Sequence, residues 1–318
     1  MELSVIIPCC DEEASLDELV TKLGSALATR PERYEVIVVN DGSTDGTAQR
    51  LAELAATRPW LKGINLRRNY GQTAALMAGF QQAQGELIIT LDGDLQNDPA
   101  DIGRMIDKLH EGFDVVSGWR VDRQDHPLTR TLPSKVANAL ISLVTGVKLH
   151  DFGCSLKIYR RDVLDDVRLY GEMHRFLPIY AKWNGARITE LPVRHFPRRR
   201  GVSHYGLDRT VKVLLDLFVV LFLHRYAQKP IYVFGACGLM SFAVGTAAGL
   251  LAVYYKFWGG KTFIETPLPL LAATMFFTGV LCLLLGLVAE IGMRTYHESQ
   301  GKRTYRVAST VNLNPPRH

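Results

Sequence analysis

Two stretches of this chain, Ile231–Tyr255 and Leu268–Ala289, contain no charged residue. Each exceeds the roughly 20 apolar residues that a helix needs to cross a bilayer core. Lipid offers a backbone no hydrogen-bond partners, so such runs are expected as two transmembrane α-helices that satisfy their own peptide groups. Buried core helices are the alternative reading, but the flanking basic residues favour membrane ends. The link between the runs carries Lys256 and Lys261. Arg209, Lys212, Arg225 and Lys229 precede the first run, and Arg294, Lys302, Arg303 and Arg306 follow the second. This bias places both termini on the cytoplasmic side. Gly245 and Gly249 have a small-xxx-small spacing that lets helices approach closely. Neither run holds an ionisable residue that would mark an ion or proton path, so an anchor and an oligomer interface are expected.

The rest of the 318 residues suffices for a full α/β domain. Apolar strand-like segments, LSVIIP, YEVIVV and LKGINL, precede helical stretches expected from about Ser15, Thr44 and Gln72. Such alternation predicts a parallel sheet covered by helices on both faces. Ser15 with Glu18 has capping-box spacing, and Pro8 is expected to end the first strand. The organisation expected is an α/β domain over 1–206, an amphipathic or docking helix over 207–228, spans within 229–292 and a cytosolic tail over 293–318. Met1–Ser4 runs directly into the first strand with no basic leader. Cys9, Cys10, Cys154, Cys237 and Cys282 show no CxxC or Cys/His metal spacing, and free thiols fit a reducing compartment. The net charge of +5 is modest and gathers near the spans, which suits an anionic membrane surface and not nucleic acid. No Walker A or GxGxxG pattern is present, which disfavours an ATPase or a dinucleotide enzyme.

Chemistry concentrates at strand ends. Glu86–Pro99, ELIITLDGDLQNDP, runs a buried strand into Asp92 and Asp94, with Gln96 two places on. On an extended segment alternate side chains share a side, so these three can converge on one hard cation, Mg2+ or Mn2+. An ordinary Asp/Gly turn is the alternative. Two more polar loops, CCDEE after the first strand and Asn40–Thr47, NDGSTDGT, after the second, are expected on the same sheet edge.

VIIPCCDEEASL, VVNDGSTDGT and LDGDLQNDP, in this order, resemble the inverting family-2 glycosyltransferases with the A-type nucleotide-sugar fold. DFGCSLKIYRR and the two carboxyl-terminal runs narrow the resemblance to the polyprenyl-phosphate glycosyltransferases, relatives of dolichyl-phosphate mannose synthase. The resemblance implies nucleotide contacts at Pro8, Cys10, Glu12, Asp41 and Asp92, with Asp41 on the base or ribose. The metal trio falls on Asp92, Asp94 and Gln96. Cys10 stands where a larger residue is usual, and Asp11 replaces a common asparagine.

A polyprenyl phosphate is already ionised and needs cationic positioning more than a general base. Arg120, Arg130 and Ser134 supply such donors, and the resemblance implies arginine and serine at this spacing for the acceptor. Asp94 and Arg120 are the expected catalytic pair, while Arg123 and Arg161 read as surface charges. Phe196–Gly206, FPRRRGVSHYG, resembles the family loop RxxGxSKY at Arg198, Gly201, Ser203 and Tyr205, with His204 in the lysine position. It reads equally as a solvated basic loop beside a bilayer. His150, His174 and His195 show no ligand spacing and read as structural or exposed. The implied reaction transfers a hexose, glucose from UDP-glucose, to undecaprenyl or a related polyprenyl phosphate in a bacterial inner membrane. GDP-mannose is the competing donor, and a non-catalytic membrane scaffold or transport subunit is the competing class.

Overall fold

A computed structural model describes residues 1–121, 138–139, 141–143, 145–164, 173–197, 231–298 and 307–313. The chain forms two compact units, Met1–Phe218 with Arg303–His318, and Val219–Lys302. The first is built on a sheet of strands β1 (Leu3–Cys9), β2 (Tyr34–Asn40), β3 (Leu61–Leu66), β4 (Leu87–Thr90), β5 (Val115–Trp119), β6 (Lys157–Arg160), β7 (Ile188–Pro192) and β8 (Val307–Val311). Their spatial order is β7-β5-β6-β4-β1-β2-β3-β8. β1 pairs in parallel with β2 and β4, β2 with β3, and β5 with β7. The sheet is not wholly parallel as the alternation predicts: β6 runs antiparallel between β4 and β5, and β8 antiparallel to β3.

Helices α1 (Glu13–Ala28), α2 (Thr47–Ala56), α3 (Gln72–Gln82) and α4 (Ile102–His110) flank the sheet, and a short α5 (Leu177–Trp183) follows later. Residue parity along β1 sorts the layers. Leu3, Val5 and Ile7 share a core with Leu16, Leu19 and Leu23 of α1, Leu51 of α2, and Ile102, Met105, Ile106 and Leu109 of α4. Ile6 points to the opposite face, where α3 comes so close that a Cβ on Gly79 would lie 2.3 Å from Ile6 Cγ2. Both faces of β1 are therefore buried, which is why LSVIIP reads as an unbroken apolar run.

Two local expectations are corrected. β1 continues through Pro8, which pairs with Val39. Ile6 accepts from Leu91 on the β4 side, and Pro8, two residues on, faces the side where that ladder has ended. Its missing N–H therefore costs no bond. Helix α1 starts at Glu13, ahead of the predicted cap, and Ser15 lies inside its first turn. Glu12 takes the N-cap position expected of Ser15, and the Ser15 hydroxyl donates back to Glu12 Oε2 at 2.7 Å, so Glu18 does not close the expected box.

β8 follows both apolar runs in sequence yet completes the sheet edge at β3, where the sequence promises only a tail. Asn312, at φ 56°, ends it and donates to Ala55 O and Leu61 O, both at 2.9 Å. Asparagine tolerates that backbone region and supplies the two donors.

In the second unit, α6 (Ile231–Phe257) and α7 (Leu268–Glu298) are long and apolar enough to cross a membrane. Their outward apolar side chains, among them Leu250 and Phe277, are well exposed, unlike those of a core helix. The small residues serve pairing within this chain. A Cβ on Gly245 would stand 3.0 Å from the Phe276 ring, and one on Gly238 3.0 Å from Gly279 O.

Candidate active site

Because β1, β2 and β4 are adjacent and parallel, their carboxyl ends open on one edge and their loops meet there. The first two loops are laced together. Asp11, at φ 55°, accepts from Thr44 N at 2.7 Å, and its own N–H donates to Ser43 Oγ at 2.9 Å. An asparagine carbonyl can make the same acceptor bond, which accounts for aspartate at this place. Glu12 N donates to Thr47 Oγ1 at 3.1 Å. Gly42 is obligatory, since at φ 66° a Cβ would fall 2.1 Å from the Arg68 carbonyl carbon.

Asp41 is buried at 4% exposure. Its two oxygens accept from Tyr70 N and Gly71 N, each at 2.8 Å. Desolvation nevertheless holds its carboxyl above the usual range against those two bonds. The residues it grips lead directly into α3, whose first residue, Gln72, donates through Nε2 to Asp92 Oδ1 at 2.6 Å. Pro8 lies beside Asp92 in the wall of an internal cavity. Cys10 is exposed, accepts through Sγ from Asn69 Nδ2 at 3.3 Å, and has its thiol pushed up by partial burial.

The backbone after β4 is not extended. It turns at Gly93–Asp94, and Leu95 takes a left-handed φ of 59°. Simple alternation therefore does not align Gln96 with the two aspartates. Gln96 N donates to Asp94 Oδ1 at 3.1 Å, while its side-chain amide points to Phe196 O at 3.5 Å. Burial, then the neighbouring Asp94 charge, push the Asp92 carboxyl up to about 6, against Ser155, Arg120 and Lys157. Among the described residues no group of three or more His, Cys, Asp and Glu forms a metal cluster. Two close carboxylates of like charge are still a hard-oxygen donor set that a divalent cation suits, with positions left for diphosphate and water.

Arg120, expected to act in catalysis, is bound to Asp151: Nε donates to Oδ2 at 2.6 Å and a terminal nitrogen to Oδ1 at 3.0 Å. The Asp151 side chain is buried at 4% exposure and that of Arg120 is mostly covered at 13%. Asp151 also accepts from Gly153 N at 3.1 Å, so the pair holds the turn that enters β6. Arg161 is no plain surface charge either, because it ties the α3–β4 connection through Gly85 O and Ala83 O. Arg123, Arg130, Ser134, Arg198, Gly201, Ser203, His204, Tyr205 and the segment 207–228 lie outside the described residues.

Below Asp92 lies a cavity of about 50 Å³ lined by Ser155, Lys157, Tyr159, His174 and Arg175, of which sequence reasoning named only His174, as structural or exposed. Lys157 and Tyr159 belong to DFGCSLKIYRR, but in sequence they look like ordinary strand residues. Only the antiparallel pairing of Thr90 with Lys157 brings β6 against the aspartate strand. The Lys157 ammonium is buried and donates to Phe152 O at 3.0 Å. Desolvation lowers it to about 8. His174 is not exposed; it meets Thr73 Oγ1 at 2.7 Å, and burial drives it well below its ordinary value, so it stays neutral. His195 is half-buried with its ring nitrogens out of water and its backbone bridged to Asn97, and exposed His150 stacks on Trp119.

Residues 4–168 match glycosyl transferase family 2. The chain is 41% identical over 314 residues to a dodecaprenyl-phosphate galacturonate synthase of Rhizobium johnstonii, covering 96% of this chain and 92% of that one. It is 36% identical over 312 residues to an undecaprenyl-phosphate 4-deoxy-4-formamido-L-arabinose transferase of Klebsiella pneumoniae, covering 98% and 94%. Among solved structures, glucosyl-3-phosphoglycerate synthase from Mycobacterium tuberculosis, in complex with Mn2+ and UDP-glucose, is similar at a TM-score of 0.53 and 17% identity. The match spans 70% of this chain and 78% of that one, and it shows the A-type fold alone.

Proposed function

The chain belongs to glycosyl transferase family 2, and from that premise we propose that it moves a sugar from a UDP-sugar onto a polyprenyl phosphate with inversion. The carrying observation is the Asp92–Asp94 pair at the sheet edge where the two laced loops converge. Pro8, Cys10, Glu12 and Asp41 border the nucleotide. Asp92 and Asp94, with Gln96 nearby, would hold a divalent cation, magnesium or manganese, which would supply neutralisation of charge on the departing diphosphate. Gln72 fixes one oxygen of Asp92, and the Arg120–Asp151 pair positions the floor of the site.

A lipid phosphate oxygen bonds to the anomeric carbon as that carbon's bond to the diphosphate oxygen breaks. The electron pair leaves with UDP. The attacking phosphate is already ionised, so no protein base is required. Arg130, Ser134, Arg198 and His204 are proposed to hold the lipid phosphate. Glucose, the donor sugar expected from the sequence, is named in neither relative, so UDP-glucose stands as the neutral reference donor and GDP-mannose as its competitor.

Helices α6 and α7 are proposed to cross the bacterial inner membrane. The chain leaves the α/β unit before them and returns to it as β8, so an even number of crossings keeps the sheet and both termini on one side, the cytoplasm. A homo-oligomer is proposed to form through surfaces other than the Gly245 face, which packs against α7 of the same chain. The test is transfer of labelled sugar to polyprenyl phosphate by the full chain with Mg2+ or Mn2+ across a panel of UDP- and GDP-sugars. Transfer should vanish in Asp94→Ala. No transfer from any donor would return the chain to the scaffold reading.

A further inference from the structure

Asp41 and Asp92 follow strands that are not neighbours. β1 lies between β2 and β4 in the sheet, so the two residues stand about two strand spacings, roughly 10 Å, apart. Helix α3 joins them. Its start has no side-chain cap of its own, because Gly71 occupies the N-cap position. Asp41 supplies the missing acceptors from another loop, taking Tyr70 N and Gly71 N at 2.8 Å each. The next residue, Gln72, donates to Asp92 Oδ1 at 2.6 Å. Three consecutive residues thus carry hydrogen bonds to two separate strand ends.

The helix between these bonds and its far end has little room to give. A Cβ on Gly79 would lie 2.3 Å from Ile6 Cγ2, and Thr73 Oγ1 meets His174 Nδ1 at 2.7 Å. Past the last turn, Ala83 O accepts from Arg161 at 2.6 Å. With α3 pinned along its length, a change in the grip of Asp41 acts on Tyr70 and Gly71 and so on the placement of Gln72. That placement matters to a cation, because a ligating carboxylate depends on the partner that fixes its orientation.

Resting on the transferase reading above and its divalent cation, we propose that Asp41 is a positioning residue for the metal site, acting through Tyr70, Gly71 and Gln72 on the orientation of Asp92. A residue that borders the nucleotide thereby also sets how tightly the cation is held, even with no nucleotide bound. The effect is reciprocal: a cation on Asp92 steadies the segment that Asp41 grips.

The experiment measures Mn2+ binding to the full chain in detergent, without nucleotide, from the paramagnetic resonance signal of the free ion. Leaving nucleotide out silences any contact of Asp41 with base or ribose. Gln72→Met should weaken binding about 10–100-fold, the usual loss when the partner of a metal ligand is removed. Asp41→Asn should weaken it at least about fivefold. Added to Gln72→Met, Asp41→Asn should cost less than about twofold more, because the link is already cut. If Asp41→Asn does not fold, hydrogen exchange decides. Mn2+ should then slow exchange of the Tyr70 and Gly71 amides at least about fivefold in the unaltered chain and leave it unchanged in Gln72→Met. Full-strength binding in Asp41→Asn, additive losses, or amides that do not respond to Mn2+ would overturn the proposal and leave the transferase reading standing. No Mn2+ bound by the unaltered chain would remove the metal from that reading and this proposal with it.

Discussion

Arg120 and Asp151 offer the sharpest test of whether the site is held together by a buried ion pair. The fork is two-pronged, at 2.6 and 3.0 Å, and both side chains are largely removed from water. Asp151→Asn keeps an acceptor for Gly153 N but takes the charged half of the fork away from the guanidinium. Breaking a buried pair from one side costs about 3–5 kcal/mol. At about 2–4 °C per kcal/mol for a domain near 200 residues, apparent Tm should fall by about 6–20 °C. Arg120→Met should fall similarly, because it removes both guanidinium donors of the fork from Asp151. The double variant removes both charges together and should be no less stable than either single one, so the coupling energy should be at least about 3–5 kcal/mol. Thermal unfolding of the four proteins in one detergent gives the cycle, and sugar transfer measured on the same samples gives its catalytic counterpart. If Arg120 acts by positioning the turn before β6, transfer losses should also be non-additive. Additive stability losses, with coupling under about 0.5 kcal/mol, would refute the reasoning.

Two further outcomes follow from other parts of the molecule. Lys157 has its folded value lowered from 10.5 to about 8, so the unfolded chain binds the extra proton between those limits. Stability attributable to this group is fully present above 10.5 and is lost as pH falls to about 8, on the order of 3 kcal/mol in all. The Tm of the unaltered chain should therefore rise relative to that of Lys157→Met between these pH values; parallel curves would contradict the buried charge. Asn312→Ala removes donors from two main-chain carbonyls and places a Cβ-branched-free but non-amide residue at a left-handed φ, so the α/β unit should lose about 1–3 kcal/mol. Chemical unfolding followed by tryptophan fluorescence measures it, and a change within 0.5 kcal/mol of zero, roughly the scatter of surface substitutions, would show that β8 does not hold the sheet edge.

Much of the architecture is written in local pattern. The apolar strands, the loops after β1 and β2 and the charge-free runs of the two long helices were all readable, because periodicity and charge density depend on near neighbours in sequence. The aspartates could be found the same way, although the turn at Gly93–Asp94 and the left-handed Leu95 removed the alternation that had joined Gln96 to them. Capping at Ser15 failed for a related reason, since its hydroxyl bonds back to Glu12 and, at 3.2 Å, to Gly93 O across 78 residues.

What the sequence alone determined, then, is an α/β layer, a membrane-competent helical pair and an acidic strand end, each carried by contiguous residues. Tertiary structure decided the rest. It set β6 antiparallel beside β4, committed Arg120 to Asp151, returned residues 307–311 to the edge of β3 and enclosed Lys157 with Arg175 below Asp92. These pairings join residues tens to hundreds of positions apart. Burial and partner identity arise only when such segments meet, and no local pattern carries them.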